Sequence, residues 1–135
     1  MTTQTMPKTY LDDIFATTYP ETLPFWAAAE QKRLLIKSCE ACMRAHWYPR
    51  VVCPLCGSDK TIWKDASGRG TIYSFSVIER ADPPYVIAWV QMEEGPIAIT
   101  NIVDCDYKTL KIGDQVSVRF QQTPEGRTVP VYTPV

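Results

Sequence analysis

The stretch CEACMRAHWYPRVVCPLCG, residues 39–57, holds four of the chain's five cysteines in two CxxC pairs that enclose its single histidine. Cys39 pairs with Cys42 and Cys53 with Cys56, and ten residues separate the pairs. A CxxC wraps its backbone around one ion. Two such knuckles brought together supply four thiolates at the corners of a tetrahedron, the closed geometry of a structural zinc site. No coordination position is left for water or substrate, so hydrolysis at such a metal is not expected. Iron in the same cage would make an electron carrier, because four sulfurs do not choose the metal by themselves. Zinc is the expectation and iron the alternative. A thioredoxin-like redox pair would open a helix after a strand, whereas Pro49, Pro54, Val51 and Val52 point to strand and turn. His46, beside Trp47 and Tyr48, reads as a surface histidine on an amphipathic strand. Cys105, alone in VDCDYK, reads as a buried or half-buried thiol.

A metal would also organise this segment. Few aliphatic residues lie between Cys39 and Cys56, and a ribbon of this size cannot bury enough apolar surface to offset its chain entropy. Upstream, LDDIF and TLPFWAAAEQKRLL read as two short helical stretches, with Thr22 as N-cap, Pro24 in the first turn and helix formers from Ala27 to Lys32. Phe25, Trp26 and Ala29 share a face. That aromatic stripe suits two fates equally, packing on the chain's own ribbon or barrel, or docking another protein.

Downstream the periodicity becomes two. Tyr73, Phe75 and Val77 alternate with Ser74 and Ser76, and Val116, Val118 and Phe120 alternate with polar residues. YVIAWVQM is apolar on both faces, and the Glu94–Gly95 turn joins it to GPIAITNIV in a central hairpin. A final TVPVYTPV carries Pro130 and Pro134, which confine it to an edge or a barrel closure. About five short antiparallel strands with one longer connection suit an OB-type Greek-key barrel. The expected fold is therefore mainly β: short N-terminal helices over residues 1–33, a rubredoxin-like zinc ribbon over 34–66 and a small five-stranded barrel over 67–135.

The formal net charge is −1, but its distribution is uneven. Residues 1–30 carry one basic and four acidic side chains, residues 31–70 eight and three, and residues 71–135 five and eight, giving balances of −3, +5 and −3. A cationic centre between acidic flanks suits a locally docked phosphate-bearing ligand better than a wrapped nucleic acid. The N-terminal MTTQTMPKTYLDDIF lacks the apolar core of a secretory signal, and no run is long enough to span a bilayer. A cytoplasmic protein, in which close cysteine pairs hold metal, is expected.

The order and spacing of several motifs carry a family likeness: FW at 25–26, CEAC, YPR and CPLCGS in the ribbon, then PYVIAWVQMEEG, ITNIVDCD, LKIGDQVSVRF and VPVYTP. Together they cover nearly the whole chain, which resembles the DUF35 proteins. That resemblance implies helices, a rubredoxin-like ribbon and an OB-fold. It also implies partnership with a thiolase-like or hydratase acyl-CoA enzyme, including those of steroid side-chain aldol cleavage, whose assembly and acyl-CoA site such a chain supports. Two positions depart from the pattern. Met43 stands where glycine commonly follows the second cysteine, which would strain a left-handed turn, and Tyr48 stands where a second proline often precedes Pro49.

No residue constellation points to catalysis by this chain: there is no histidine pair, no nucleophile with an evident base and no phosphate-cradling glycine loop. Glu93 and Glu94 read as a polar turn. The expected site is thus Cys39, Cys42, Cys53 and Cys56 around one zinc, with no catalytic residue. Lys32, Arg33, Lys37, Arg44 and Arg50 could meet phosphates, but spacing assigns no ligand contact. The competing reading is a single-stranded nucleic-acid binder, with Trp89, Tyr85 and Tyr73 stacking bases. The acidic barrel segment opposes it.

Overall fold

A computed structural model of the chain describes residues 8–135; the opening residues of the sequence on which the absence of a secretory signal was judged lie partly outside the described residues. The chain enters through a 3-10 turn at Tyr10–Asp12, capped by Thr9 and Asp12 in a reciprocal box, and then helix α1 (Ile14–Thr17), capped by Asp13. Helix α2 (Leu23–Glu30) follows, with Pro24 in its first turn. Thr22 precedes it but does not cap it through its side chain. Its hydroxyl donates to the Tyr19 carbonyl at 2.7 Å and accepts from the Trp26 indole N–H at 3.1 Å. The helix is shorter than its run of helix formers suggests. Lys32 takes φ 59°, and the bonds Lys32 N–H to Ala29 C=O and Arg33 N–H to Ala28 C=O, at 2.9 and 3.0 Å, close a Schellman motif. That turn sends Leu34 and Leu35 into a strand.

The ribbon is a three-stranded antiparallel sheet of β1 (Leu35–Cys39), β2 (Ala45–His46) and β3 (Thr61–Asp65) in the order β2-β1-β3. The barrel follows with β4 (Arg69–Ile78), β5 (Tyr85–Met92), β6 (Ile97–Ile102), β7 (Gln115–Gln122) and β8 (Thr128–Pro134). It closes in the order β4-β5-β6-β8-β7. Every pair is antiparallel except β6 with β8, which meet in parallel at Ile102 and Tyr132. Strands one, two and three in sequence, then five, then four, closing on one, is the Greek-key order of an OB barrel. The proline-bearing last strand serves as the closure.

One strand departs from simple alternation. The register of β4 against β5 shifts between Ile72 and Ser74. This bulge leaves Ile72 buried inside and Tyr73 59% exposed outside, while Phe75 and Val77 return to the interior. Tyr73 therefore does not share a face with Phe75 and Val77.

Two apolar cores result. The barrel interior holds Ile72, Val86, Ala88, Val90, Ile102, Leu110, Val116 and Tyr132, with Cys105 half-buried against it. The second core joins the three parts of the chain: Phe25, Trp26 and Ala28 of α2, Leu34 to Ile36 of the ribbon, and Met92 and Ala98 of the barrel hairpin. Phe25 meets Trp26 and Trp47 edge-on, at centroid distances of 4.8 and 5.2 Å. The aromatic stripe of α2 thus packs on the chain itself, with Phe25 and Trp26 only 2% and 6% exposed, and it is no docking face.

A polar lock holds α1 to the far hairpin of the barrel. Arg127 donates from Nε to the fully buried Asp13 carboxylate at 2.7 Å and lies over the rings of Phe15 and Trp26. Gly126 beside it has φ 117°, and a Cβ there would run into the Thr9 carbonyl. No helix among the described residues is long and apolar enough to cross a membrane.

Candidate metal centre

Each CxxC turns in the same way. Met43 N–H donates to the Cys39 carbonyl and Gly57 N–H to the Cys53 carbonyl, both at 2.9 Å. Cys39 N–H donates to Arg44 C=O at 3.0 Å and Cys53 N–H to Ser58 C=O at 2.8 Å. The equivalent residues Met43 and Gly57 both take positive φ, 59° and 81°. The backbone needs a left-handed residue after each second cysteine. The sequence meets that need with glycine in one knuckle and with methionine in the other, as the strain expected at Met43 required.

The strands and the turns bring the four sulfurs together. Cys39 ends β1 and Cys53 follows the Pro49–Val52 loop, and the four Sγ atoms lie within 4.8 Å of one another. Cys39 and Cys56 are 3.6 Å apart, and Cys42 and Cys53 3.8 Å. These separations exclude a disulfide, whose sulfurs would be bonded at ~2.05 Å. A tetrahedral ion with sulfur at ~2.3 Å has edges of roughly 3.8 Å, so the donor set fits one such ion. Cys39 and Cys53 are buried and Cys56 is exposed, which leaves the cage at the tip of the ribbon.

The thiols are electrostatically unequal. The backbone N–H of Cys42 is the chief cause holding the Cys39 thiol down at about 7, where it gives a thiolate readily. Burial raises Cys42, yet hydrogen bonds from Arg44 and the neighbouring thiols leave it below the usual range. Cys56 receives a lowering hydrogen bond from the Ser58 backbone, but the surrounding cysteines and burial push it up to about 11. Three sulfurs crowding a fourth resist a fourth negative charge, and a cation among them removes that resistance.

His46 does not join the cage and does not lie on the surface. It is 4% exposed, opposite Lys37 in the β1–β2 pair, and neither ring nitrogen has a hydrogen-bond partner among the described residues. Burial pushes its pKa below 6.5, and the charges of Lys37 and Arg50 push the same way. A two-residue strand is too short for alternation to reveal its inner face.

The cationic residues of the central segment do not converge. Arg33 forms a two-pronged pair with Asp65, 3.0 Å on each prong. Lys37 lies over the Trp63 ring at 4.5 Å. Lys32, Arg44 and Arg50 are exposed at separate places. Arg50 enters a groove of about 580 Å3 between the N-terminal segment and the ribbon, with Tyr19, Glu21, Tyr48, Val51 and Val52, whereas Arg44 and Lys32 line separate, smaller concavities of about 350 and 310 Å3. No sequence signal pointed to that groove, because its walls are some thirty residues apart. Glu93 and Glu94 sit in the β5–β6 turn, where Glu93 accepts from Arg69 and Ser67, and Glu94 accepts from the Ser67 N–H at 2.8 Å. They tie the ribbon–barrel connection and have no acid–base geometry.

Residues 26–61 match the family described as the ChsH2 rubredoxin-like zinc ribbon domain, and residues 63–121 that described as the ChsH2 C-terminal OB-fold domain. A DUF35 domain-containing scaffold protein of Methanothermobacter thermautotrophicus is 34% identical over 113 residues, 78% of this chain and 85% of that protein. The chain belongs to the DUF35 family. A probable enoyl-CoA hydratase alpha subunit of Thermomonospora curvata is 34% identical over 116 residues, 82% of this DUF35 chain, which spans only 36% of that subunit. Among solved structures, the Ltp2-ChsH2(DUF35) aldolase superposes with a TM-score of 0.73 at 33% identity, over 84% of this chain and 94% of that one. A DUF35 protein of Sulfolobus solfataricus superposes with a TM-score of 0.67 over 90% and 93%, and its 16% identity speaks for the fold alone.

Proposed function

We propose that this DUF35 chain is a non-catalytic accessory subunit in the cytoplasm, which binds a thiolase-like or hydratase acyl-CoA enzyme and helps form that enzyme's acyl-CoA site. The observation that carries the reading is the likeness, over 84% of the chain, to the relative solved as the Ltp2-ChsH2(DUF35) aldolase. Within this reading Cys39, Cys42, Cys53 and Cys56 hold one structural zinc. Bound zinc would cross-link the two knuckles and supply no open position for chemistry. The chain's own groups then have positional work. Asp13 and Arg127 fix the N-terminal segment to the barrel, and the joint core fixes the ribbon to both. The groove of Tyr19, Glu21, Tyr48, Arg50, Val51 and Val52 sets one cation and one carboxylate among largely apolar walls, and those walls suit the apolar part of an acyl thioester.

The test is co-expression with each thiolase-like acyl-CoA enzyme of the source organism, followed by size-exclusion chromatography. The chain is expected to elute with one of them as a single species that contains zinc. Separate elution from all of them would contradict the reading.

A further inference from the structure

The outer wall of the barrel at β4, β5 and β6 is apolar where an antiparallel sheet facing water is normally polar. Trp89 of β5 lies opposite Ile99 of β6, and the β4 bulge puts Tyr73 beside Trp89 on the outside. These three are 46%, 57% and 59% exposed, and Tyr85 and Ile97 extend the patch at 45% and 37%. Next to them, Tyr85, Ile87 and Ile99 with Thr100 and Asn101 line a shallow concavity of about 280 Å3. The strand pairing gives the outward positions between Thr71 and Ile78 of β4 and their partners. Opposite Tyr85, Ile87, Trp89 and Gln91 stand Ile78, Ser76, Ser74 and Thr71 on one side; Asn101, Ile99 and Ile97 stand on the other. None is charged, in a chain that is 21% charged.

Such a face selects its occupant. A polyanion or an anionic lipid surface needs lysine or arginine, and the three strands offer neither at these positions. Aromatic residues around a small pocket, with neutral polar neighbours, are the composition of a protein-interface centre. The ends of the face are mixed but net acidic: Glu79 and Asp82 outnumber Arg80 beside the β4–β5 loop, and Glu93 and Glu94 outnumber Arg69, which pairs with Glu93, at the β5–β6 turn. In a twofold contact between two copies the same patch meets itself, which sets a net acidic end against a net acidic end. A different protein with an apolar centre and a basic rim has no such conflict.

We infer that the β4–β5–β6 face, centred on Trp89 and Ile99, is the surface that docks the acyl-CoA enzyme, through an apolar patch on that enzyme rimmed by lysine and arginine. This rests on the accessory-subunit reading and assigns its interface to the barrel wall. The bulge at Tyr73 belongs to the device, since it moves an aromatic ring from the barrel interior to the contact.

The experiment measures affinity of the full-length, zinc-loaded chain for the enzyme that co-elutes with it, by isothermal titration. Trp89→Glu and Ile99→Glu are each expected to weaken binding by about 30-fold or more, the loss typical of a central anchor. Ile112→Glu, on an exposed loop outside this face, is expected to bind as the original chain does. Zinc content and melting temperature should be unchanged in all three. Unaltered affinity in both Trp89→Glu and Ile99→Glu would overturn the inference while leaving the accessory reading intact. So would a Trp89-dependent dimer of the chain alone, or Trp89-dependent binding of a single-stranded DNA probe. If the original chain bound none of the enzymes, the accessory reading would fall and this inference with it.

Discussion

Met43 carries more than its side chain. It is 76% exposed and holds φ 59° because the knuckle hydrogen bonds leave no other backbone path. A left-handed residue costs an L-amino acid about 1–2 kcal/mol, and glycine avoids that cost at the expense of a looser unfolded chain. Met43→Gly is therefore expected to stabilise the metal-loaded protein by about 1 kcal/mol in chemical denaturation, with metal content unchanged; equal or lower stability would contradict this. Arg127 has the opposite character. Its partner Asp13 is 1% exposed, so Arg127→Met leaves a carboxylate buried without its cation, at a cost of about 2–4 kcal/mol. Replacing both, Asp13→Asn with Arg127→Met, should recover part of that loss. A single substitution without effect on unfolding free energy would mean that the pair does not hold the N-terminal segment. Neither lock member stood out in the sequence, because 114 residues separate them and a single arginine after Gly126 looks like any turn residue.

At the scale of elements, the ribbon depends on what its sulfurs hold. Its central strand β1 is buried on both faces, but β3 is at most half-buried and the tip exposes Met43, Val51, Val52 and Leu55. A structural zinc contributes on the order of 10 kcal/mol in such a module. Chelation, or Cys53→Ser, is expected to unfold β1 to β3, exposing Trp47 and Trp63 with a red shift of their fluorescence. The barrel interior around Val90 and Tyr132 should stay protected in hydrogen exchange. Unchanged metal content and melting temperature after Cys53→Ser would refute the cage. The cysteines were legible because ligand spacing is local. The bulge in β4 was not, because Tyr-Ser-Phe-Ser-Val alternates perfectly and only the pairing with β5 shows that Tyr73 has left the row. The end of α2 was misjudged for a related reason. Gln31 and Lys32 favour helix by propensity, and the Schellman turn is imposed by Leu34 to Ile36 entering the shared core.

At the scale of the whole molecule, the strand pattern and the turn residues were enough to anticipate an OB barrel, and the doubled CxxC a ribbon. What they could not convey was that the parts share one core. Phe25, Ile36, Met92 and Ala98 come from four separate stretches, and no local pattern distinguishes an aromatic stripe that covers its own barrel from one that awaits a partner. That assignment moves the prospective interface away from α2. Among the described residues, the surfaces open to a partner include the neutral wall around Trp89 and the groove beside Arg50. The most direct measurement is turnover of an acyl-CoA thioester by the purified, zinc-loaded chain alone, by its co-eluting enzyme alone, and by the two together. The account predicts no turnover by the chain alone and a higher kcat/KM for the mixture than for the enzyme by itself. Turnover by the isolated chain at a rate comparable to that of the mixture would contradict it.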